Sequence, residues 1–203
     1  MNKRAEKAGQ TRRRIIEAAR DLFIERGYGA TPLQDVADRA GVAVQTIYFV
    51  FGNKRTLLKE LVDVTIAGDD EPIATMDRPW FRQVVAAGTA DDQLRAHVRG
   101  TRAVLERVAP LVRMVDTAAA TDADVAALWP EGERPRYEVH EAAAKALVTK
   151  PGIVPGLTVQ RAADILFALL STEVFLLLVH ERGWSPEDWQ RWTYATLHAQ
   201  LCG

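Results

Sequence analysis

Apolar positions recur every three to four residues along almost the whole chain, and no alternating apolar–polar stretch bounded by turn signals interrupts them. That pattern predicts an all-α protein of about nine to ten helices. Ile15, Ala19, Leu22 and Phe23 share one face of a first helix, which should run from about Thr11, a good capping residue, to Gly27. Its basic start, Arg12 to Arg14, should face solvent. Thr31 is placed to cap a second helix opening at Pro32, with Gln34 at the capping-box position and Leu33, Val36, Ala37 and Ala40 as its apolar stripe. Gly41 ends that helix. A very short third helix spans about Val44 to Phe49, and Gly52 and Asn53 part it from a fourth carrying Leu57, Leu58, Leu61 and Val62.

The segment from Gly68 to Pro79, with Asp69, Asp70, Glu71 and Pro72, has turn and charge character and reads as a hinge. Beyond it the period predicts helices over about 79–88, 92–108, 110–120, 134–149, 158–181 and 186–201, broken at prolines and glycines. The last start is the clearest: Ser185 as cap, Pro186 first, and Glu187 with Asp188 complementing the helix dipole.

Composition narrows the class. The chain has 203 residues, 48% hydrophobic and 26% charged, a globular balance that excludes disordered and fibrous proteins. A single cysteine, Cys202, forms no internal disulfide and no cysteine metal cluster. The most apolar run, Ile165 to Val179, has 15 residues and contains Ser171, Thr172 and Glu173, which is short for a membrane span. No signal-peptide pattern follows the basic N-terminus, so a cytoplasmic, nucleoid-associated protein without a membrane partner is expected. Charge is unevenly divided. Residues 1–60 hold 12 Lys and Arg against 7 Asp and Glu, net +5, while the remainder is net −6. One end of the molecule is therefore suited to a polyanion.

Helix, glycine-containing turn, helix is the layout in which the second helix enters the DNA major groove. Here the turn is Gly41-Val42-Ala43, and Val42 and Ile47 are spaced to lock the second helix inward. Val44, Gln45, Tyr48 and Phe49 are left outward. Gln45 can read a base edge through its amide, Val44 can meet a thymine methyl, and Thr46, Tyr48 and Lys54 can reach phosphates. Gln34 serves either as a cap or as a contact to DNA. Tyr28 and Phe51 fit the core. The basic residues Lys3, Arg4, Lys7 and Arg12 to Arg14 are either simply solvated or a flexible arm adding phosphate or minor-groove contacts.

The set Ala18-Ala19, Leu22-Phe23, Gly27-Tyr28, Ala30-Thr31, Asp35-Val36-Ala37, Ala40-Gly41-Val42, Thr46-Ile47-Tyr48, Phe51, Lys54 and Leu57-Leu58 resembles the TetR/AcrR family of bacterial transcriptional regulators over about residues 10–62. The resemblance implies an all-helical homodimer whose first three helices bind a palindromic operator and whose C-terminal helices bind an effector, with repression the default. It places phosphate contacts on Thr31 or its neighbours, Thr46, Tyr48 and Lys54, and base contacts on Gln34, Val44 and Gln45. Two positions depart from the pattern: Ala43 stands where a serine is usual, and Val50 where a histidine or tyrosine is common. The implied organisation is a flexible basic arm over 1–10, a helix-turn-helix domain over 11–60 with its motif at about 32–51, and an effector-binding and dimerisation domain over 61–203.

The run Ile165 to Val179 is apolar nearly all round, so one face must meet something beyond its own core. A second copy is the economical answer, with Phe175 and Val179 joined by Trp189, Trp192, Tyr194 and Leu197 of the closing helix in a four-helix interface. Two recognition helices could then lie one DNA turn apart, roughly 34 Å. Candidates for an effector pocket are Trp80, Phe81, His97, Met114, Trp129, Tyr137, His140, Phe167 and Glu173, each with core packing as its plainer role. Glu173 either anchors a ligand or bonds across the interface.

An enzyme finds little support. His97, His140, His180 and His198 lack a two-histidine metal spacing, and neither a phosphate loop nor a nucleophile elbow is present. No cofactor and no metal are expected. The competing reading is a dimeric small-molecule- or partner-binding protein of the same fold with weak operator binding, motivated by the apolar character of Ala43, Val44 and Val50.

Overall fold

The computed structural model describes residues 3–69, 71 and 73–203, with side chains from Glu6 onward. The side chains of Lys3 and Arg4, and Asp70 and Pro72 of the expected hinge, lie outside the described residues. Among those described, the only β-type pairing is an isolated bridge between Ile153 and Cys202. The chain divides into two compact units, residues 1–70 with 110–130, and residues 71–109 with 131–203.

In the first unit, α1 (Lys3–Arg26), α2 (Leu33–Ala40), α3 (Val44–Phe51) and α4 (Lys54–Ala67) close around one core. Helix α1 begins at Lys3, eight residues ahead of Thr11. The stretch ahead of Thr11 holds good helix formers, and the Thr11 hydroxyl donates back to the Lys7 carbonyl instead of capping. Ile15, Ala19, Leu22 and Phe23 are buried as their spacing predicts, against Val36, Ala37, Ile47, Phe51, Leu57 and Leu58. Leu111, Met114 and Ala118, from the end of α6 (Ala90–Ala119), and Val125, from the single turn α7 (Ala123–Ala126), complete this core. The expected break at Pro110 is absent: α6 runs through it, with Val108, Ala109 and Leu111 buried around it. Their burial offsets the hydrogen bond that proline removes.

The second unit contains a short 3₁₀ turn (Thr75–Asp77), α5 (Pro79–Ala86), the first part of α6, α8 (Arg134–Leu147), α9 (Val159–Leu169), α10 (Thr172–Phe175) and α11 (Pro186–Leu201). The single helix expected over 158–181 is divided. Leu170 turns out of helical geometry (φ −95°, ψ 36°), Ser171 caps a new start by accepting from the Val174 N–H, and the helix widens to π geometry over Leu176–Glu181. Glu173 thus lies exposed in the first turn of α10, where it complements the helix dipole. Taken together, Val159–Glu181 is 23 residues, and its most apolar 18-residue stretch has a mean hydropathy of 2.1, enough by length and composition to cross a membrane and longer than the run Ile165 to Val179 suggests. Ala162, Ala163, Leu166, Leu170 and Phe175 are buried inside the unit. Ser185 caps α11 as expected, accepting from the Asp188 N–H.

Candidate nucleic-acid interface

The turn between α2 and α3 is built on Gly41, whose left-handed backbone (φ 65°, ψ 45°) lets its N–H reach the carbonyls of Ala37 and Asp38. Arg14 of α1 fastens it. Its guanidinium donates to the Ala40 carbonyl, 3.0 Å from Nε, and to the Gly41 carbonyl, 3.0 Å from Nη2. Arg14 therefore does not simply face solvent. Nor does Arg12, which pairs with Glu60 and lies 5.6 Å from the Phe51 ring centroid. No spacing signal marks these two arginines, because their partners are carbonyls and a carboxylate remote in sequence. Helix α3 starts at Ala43 without a side-chain cap, as the missing hydroxyl implies.

Ile47 and Phe51 point α3 inward, and Gln45, Tyr48 and Phe49 face solvent. Phe49 is 91% exposed and Tyr48 53%. Gln45 and Phe49 stand one turn apart on the same face, with Tyr48 beside them. Val44 is half-buried and packs against the core, so it offers little surface to a thymine methyl. Thr46 is half-buried at the start of the same helix.

The expected phosphate contacts of Thr31 and Lys54 and the expected capping roles of Thr31 and Gln34 are corrected. Thr31 is fully buried, and its hydroxyl donates inward to the carbonyls of Leu22 (3.3 Å) and Gly27 (2.9 Å); it neither caps α2 nor reaches a phosphate. Pro32 is the residue at the start of α2, again with no side-chain cap. Gln34 is exposed, but its amide donates 2.8 Å to Asp38 Oδ1 one turn along, so it completes no capping box. Lys54 is turned into the unit. Its ammonium donates to the Tyr28 carbonyl and lies 4.3 Å from the Tyr28 ring centroid and 5.7 Å from that of Phe23. Burial lowers its pKa, opposed by the charge of Asp122. The long stem and three donors that suit Lys54 to a phosphate suit it equally to a buried carbonyl framed by aromatic faces.

The second unit holds a buried polar cluster. Gln93, His97 and Thr101 recur at one-turn spacing on α6, with exposures of 0, 1 and 8%. Gln93 donates 2.7 Å to the Ala143 carbonyl of α8, and His97 stacks at 5.3 Å on His140, tilted by 33°. Phe81 meets His97 edge-on, and Phe167 meets both His140 and Tyr137. Both nitrogens of His97, Nδ1 of His140 and Oε1 of Gln93 are buried without a hydrogen-bond partner. Burial drives the His97 pKa down to about 4, and burial, His97 and Arg136 push that of His140 well below its usual range, so both rings are neutral at pH 7. Arg136 closes one side, stacked 3.7 Å over the Phe167 centroid and donating to its carbonyl at 3.0 Å. Trp80 lies flat on Gly100, where a Cβ would collide with its ring.

Of the effector candidates, Trp80, Phe81, His97, Tyr137, His140 and Phe167 share this second unit, whereas Met114 and Trp129 belong to the core of the first. Of the interface candidates, Phe175, Trp189 and Leu197 are at most 1% exposed and serve their own unit's core, Phe175 against Trp189 at 5.2 Å. Trp192 is exposed and Val179 half-buried, and Leu177 shows more surface than either. Aromatic content alone does not distinguish core from interface. Among the described residues no group of three or more His, Cys, Asp or Glu is placed to hold a metal ion.

Three helices closed on one core, with a left-handed glycine turn between the second and third and a solvent-facing polar and aromatic stripe on the third, define a helix-turn-helix nucleic-acid-binding domain. Residues 15–61 match the family model of bacterial regulatory proteins, tetR family. It is 47% identical over 58 residues to the HTH-type transcriptional regulator TtgR of Pseudomonas putida, a stretch covering 29% of this chain and 28% of that relative. A regulator assigned to the TetR family from Mesorhizobium loti shares the fold over 97% of this chain and 98% of its own, at a TM-score of 0.72 and 21% identity. The transcriptional regulator FadR of Bacillus subtilis, solved with stearoyl-CoA, shares it over 91% of this chain and 96% of its own, at 0.66 and 18%.

Proposed function

We propose that this protein is a ligand-responsive transcriptional regulator, most simply a repressor, that binds a palindromic DNA operator as a homodimer and is released by a small, largely apolar effector. The carrying observation is the exposed Gln45–Tyr48–Phe49 stripe on α3, held by a glycine turn that Arg14 fastens, within a tetR-family domain. The net +5 charge of residues 1–60 supports a polyanionic partner. Exposed Leu177 and Trp192 support pairing with a second copy, which would set two recognition helices to read successive major grooves. The buried polar cluster around His97 and His140 supports an effector site in the second unit, and the FadR neighbour bound to stearoyl-CoA supports a ligand in a fold of this kind. Cofactor chemistry and catalysis are no part of this reading.

The test is selection from a random duplex library with the purified protein at two salt concentrations. An enriched palindrome whose affinity falls steeply with salt is the expected result. Salt-sensitive binding without enrichment would instead favour a dimeric small-molecule- or partner-binding protein of this fold, a reading prompted by an α3 that carries no charged residue.

A further inference from the structure

Helix α3, Val44–Phe51, reads VQTIYFVF and carries no charged residue, so what it offers to base edges is the Gln45 amide, the Tyr48 phenol, the half-buried Thr46 hydroxyl and apolar surface. Val44 packs against the core. Phe49, at 91% exposure, has the most open large apolar side chain among the described residues. Its phenyl ring has no donor for a phosphate oxygen, and in the major groove the apolar feature carried by a base pair is the thymine C5-methyl.

We infer that Phe49 is a specificity-determining residue that packs on a thymine methyl, while Gln45, one turn earlier, pairs with an adenine through its amide. One helical turn rises about 5.4 Å and base pairs are spaced about 3.4 Å apart, so the two reading points fall within one or two base pairs of each other. The ligand class is therefore a half-site with adjacent or near-adjacent A·T pairs. This inference rests on the proposed operator binding and deepens it.

The experiment takes the operator enriched by selection and replaces its thymines one at a time with deoxyuridine, which removes only the methyl group. Affinities are measured for the wild type, Phe49→Ala and Phe49→Leu, with helix content checked by circular dichroism. One thymine in each half-site should cost the wild type about fourfold in affinity when its methyl is lost, the worth of one buried methyl group. Phe49→Ala should bind the unmodified operator more weakly and show less than twofold dependence on that methyl, and Phe49→Leu should keep part of it. Methyl dependence that persists in Phe49→Ala, or that occurs nowhere, overturns the inference and leaves operator binding standing. Unchanged operator affinity in Phe49→Ala also overturns it. A library that yields no enriched sequence overturns the inference together with operator binding.

Discussion

Single residues in the first unit are used more tightly than their positions in the sequence indicate. Gly41 is required twice, because its φ of 65° strains any L side chain and a Cβ there would lie 3.2 Å from Arg14 Nη2. Gly41→Ala should lower the unfolding free energy by about 1–2 kcal/mol in urea titration, and should weaken operator binding by displacing Arg14. Lys54 makes the opposite point. A residue read as a phosphate contact is a tie between the start of α4 and the Tyr28 carbonyl, beside two aromatic faces. Lys54→Met should cost roughly 1–2 kcal/mol of stability and leave the salt dependence of DNA binding unchanged; a shallower salt slope in a fully folded variant would return Lys54 to the phosphates. Gly41 was legible because a helix stop of this kind has a backbone cause. Arg14, Lys54 and Thr31 were not, since a side chain that bonds a carbonyl many residues away leaves no local pattern.

At the scale of elements, capping explains where the period is broken. Asn53, after Gly52, accepts from the Thr56 N–H at 2.9 Å and sets the first turn of α4. Asn53→Ala should destabilise the protein by about 1 kcal/mol in chemical denaturation. A loss below a few tenths would mean that packing of Leu57 and Leu58 alone positions that helix. The starts at Pro79 and Pro186 were legible from proline, and Ser185 from its cap. The run through Pro110 and the break at Leu170 were not. At Pro110 burial of Val108, Ala109 and Leu111 outweighs the lost hydrogen bond, and after Leu170 the Ser171 hydroxyl caps a new start inside an apolar run that carries no glycine or proline stop.

At the scale of the molecule, the buried histidines make stability depend on pH. Between about pH 6.5 and 4 the unfolded chain takes up a proton that His97 in the folded second unit does not, and His140 acts in the same direction. The folded-state pKa is depressed, so stability is full above about pH 6.5 and is lost as pH falls towards 4, by up to roughly 3 kcal/mol for His97. Thermal unfolding followed across this range should show the midpoint falling with pH, and His97→Phe should flatten that dependence. An unaltered profile in the variant would sink the assignment.

The helical period, the glycine and proline stops and the charge of the first sixty residues were enough to establish an all-α chain with a helix-turn-helix at its N-terminal end, because these are local properties of backbone and composition. The core face of α1 and the outward placing of Gln45, Tyr48 and Phe49 follow from the same period. Tertiary structure alone decided that residues 110–130 belong with the first unit, that Thr31 and Lys54 turn inward, and that Phe175, Trp189 and Leu197 fill a core. An apolar or polar residue carries no mark of which partner it will meet. That is settled by which distant helices close over it, and by whether its buried polar atoms find a carbonyl, an aromatic face or nothing there.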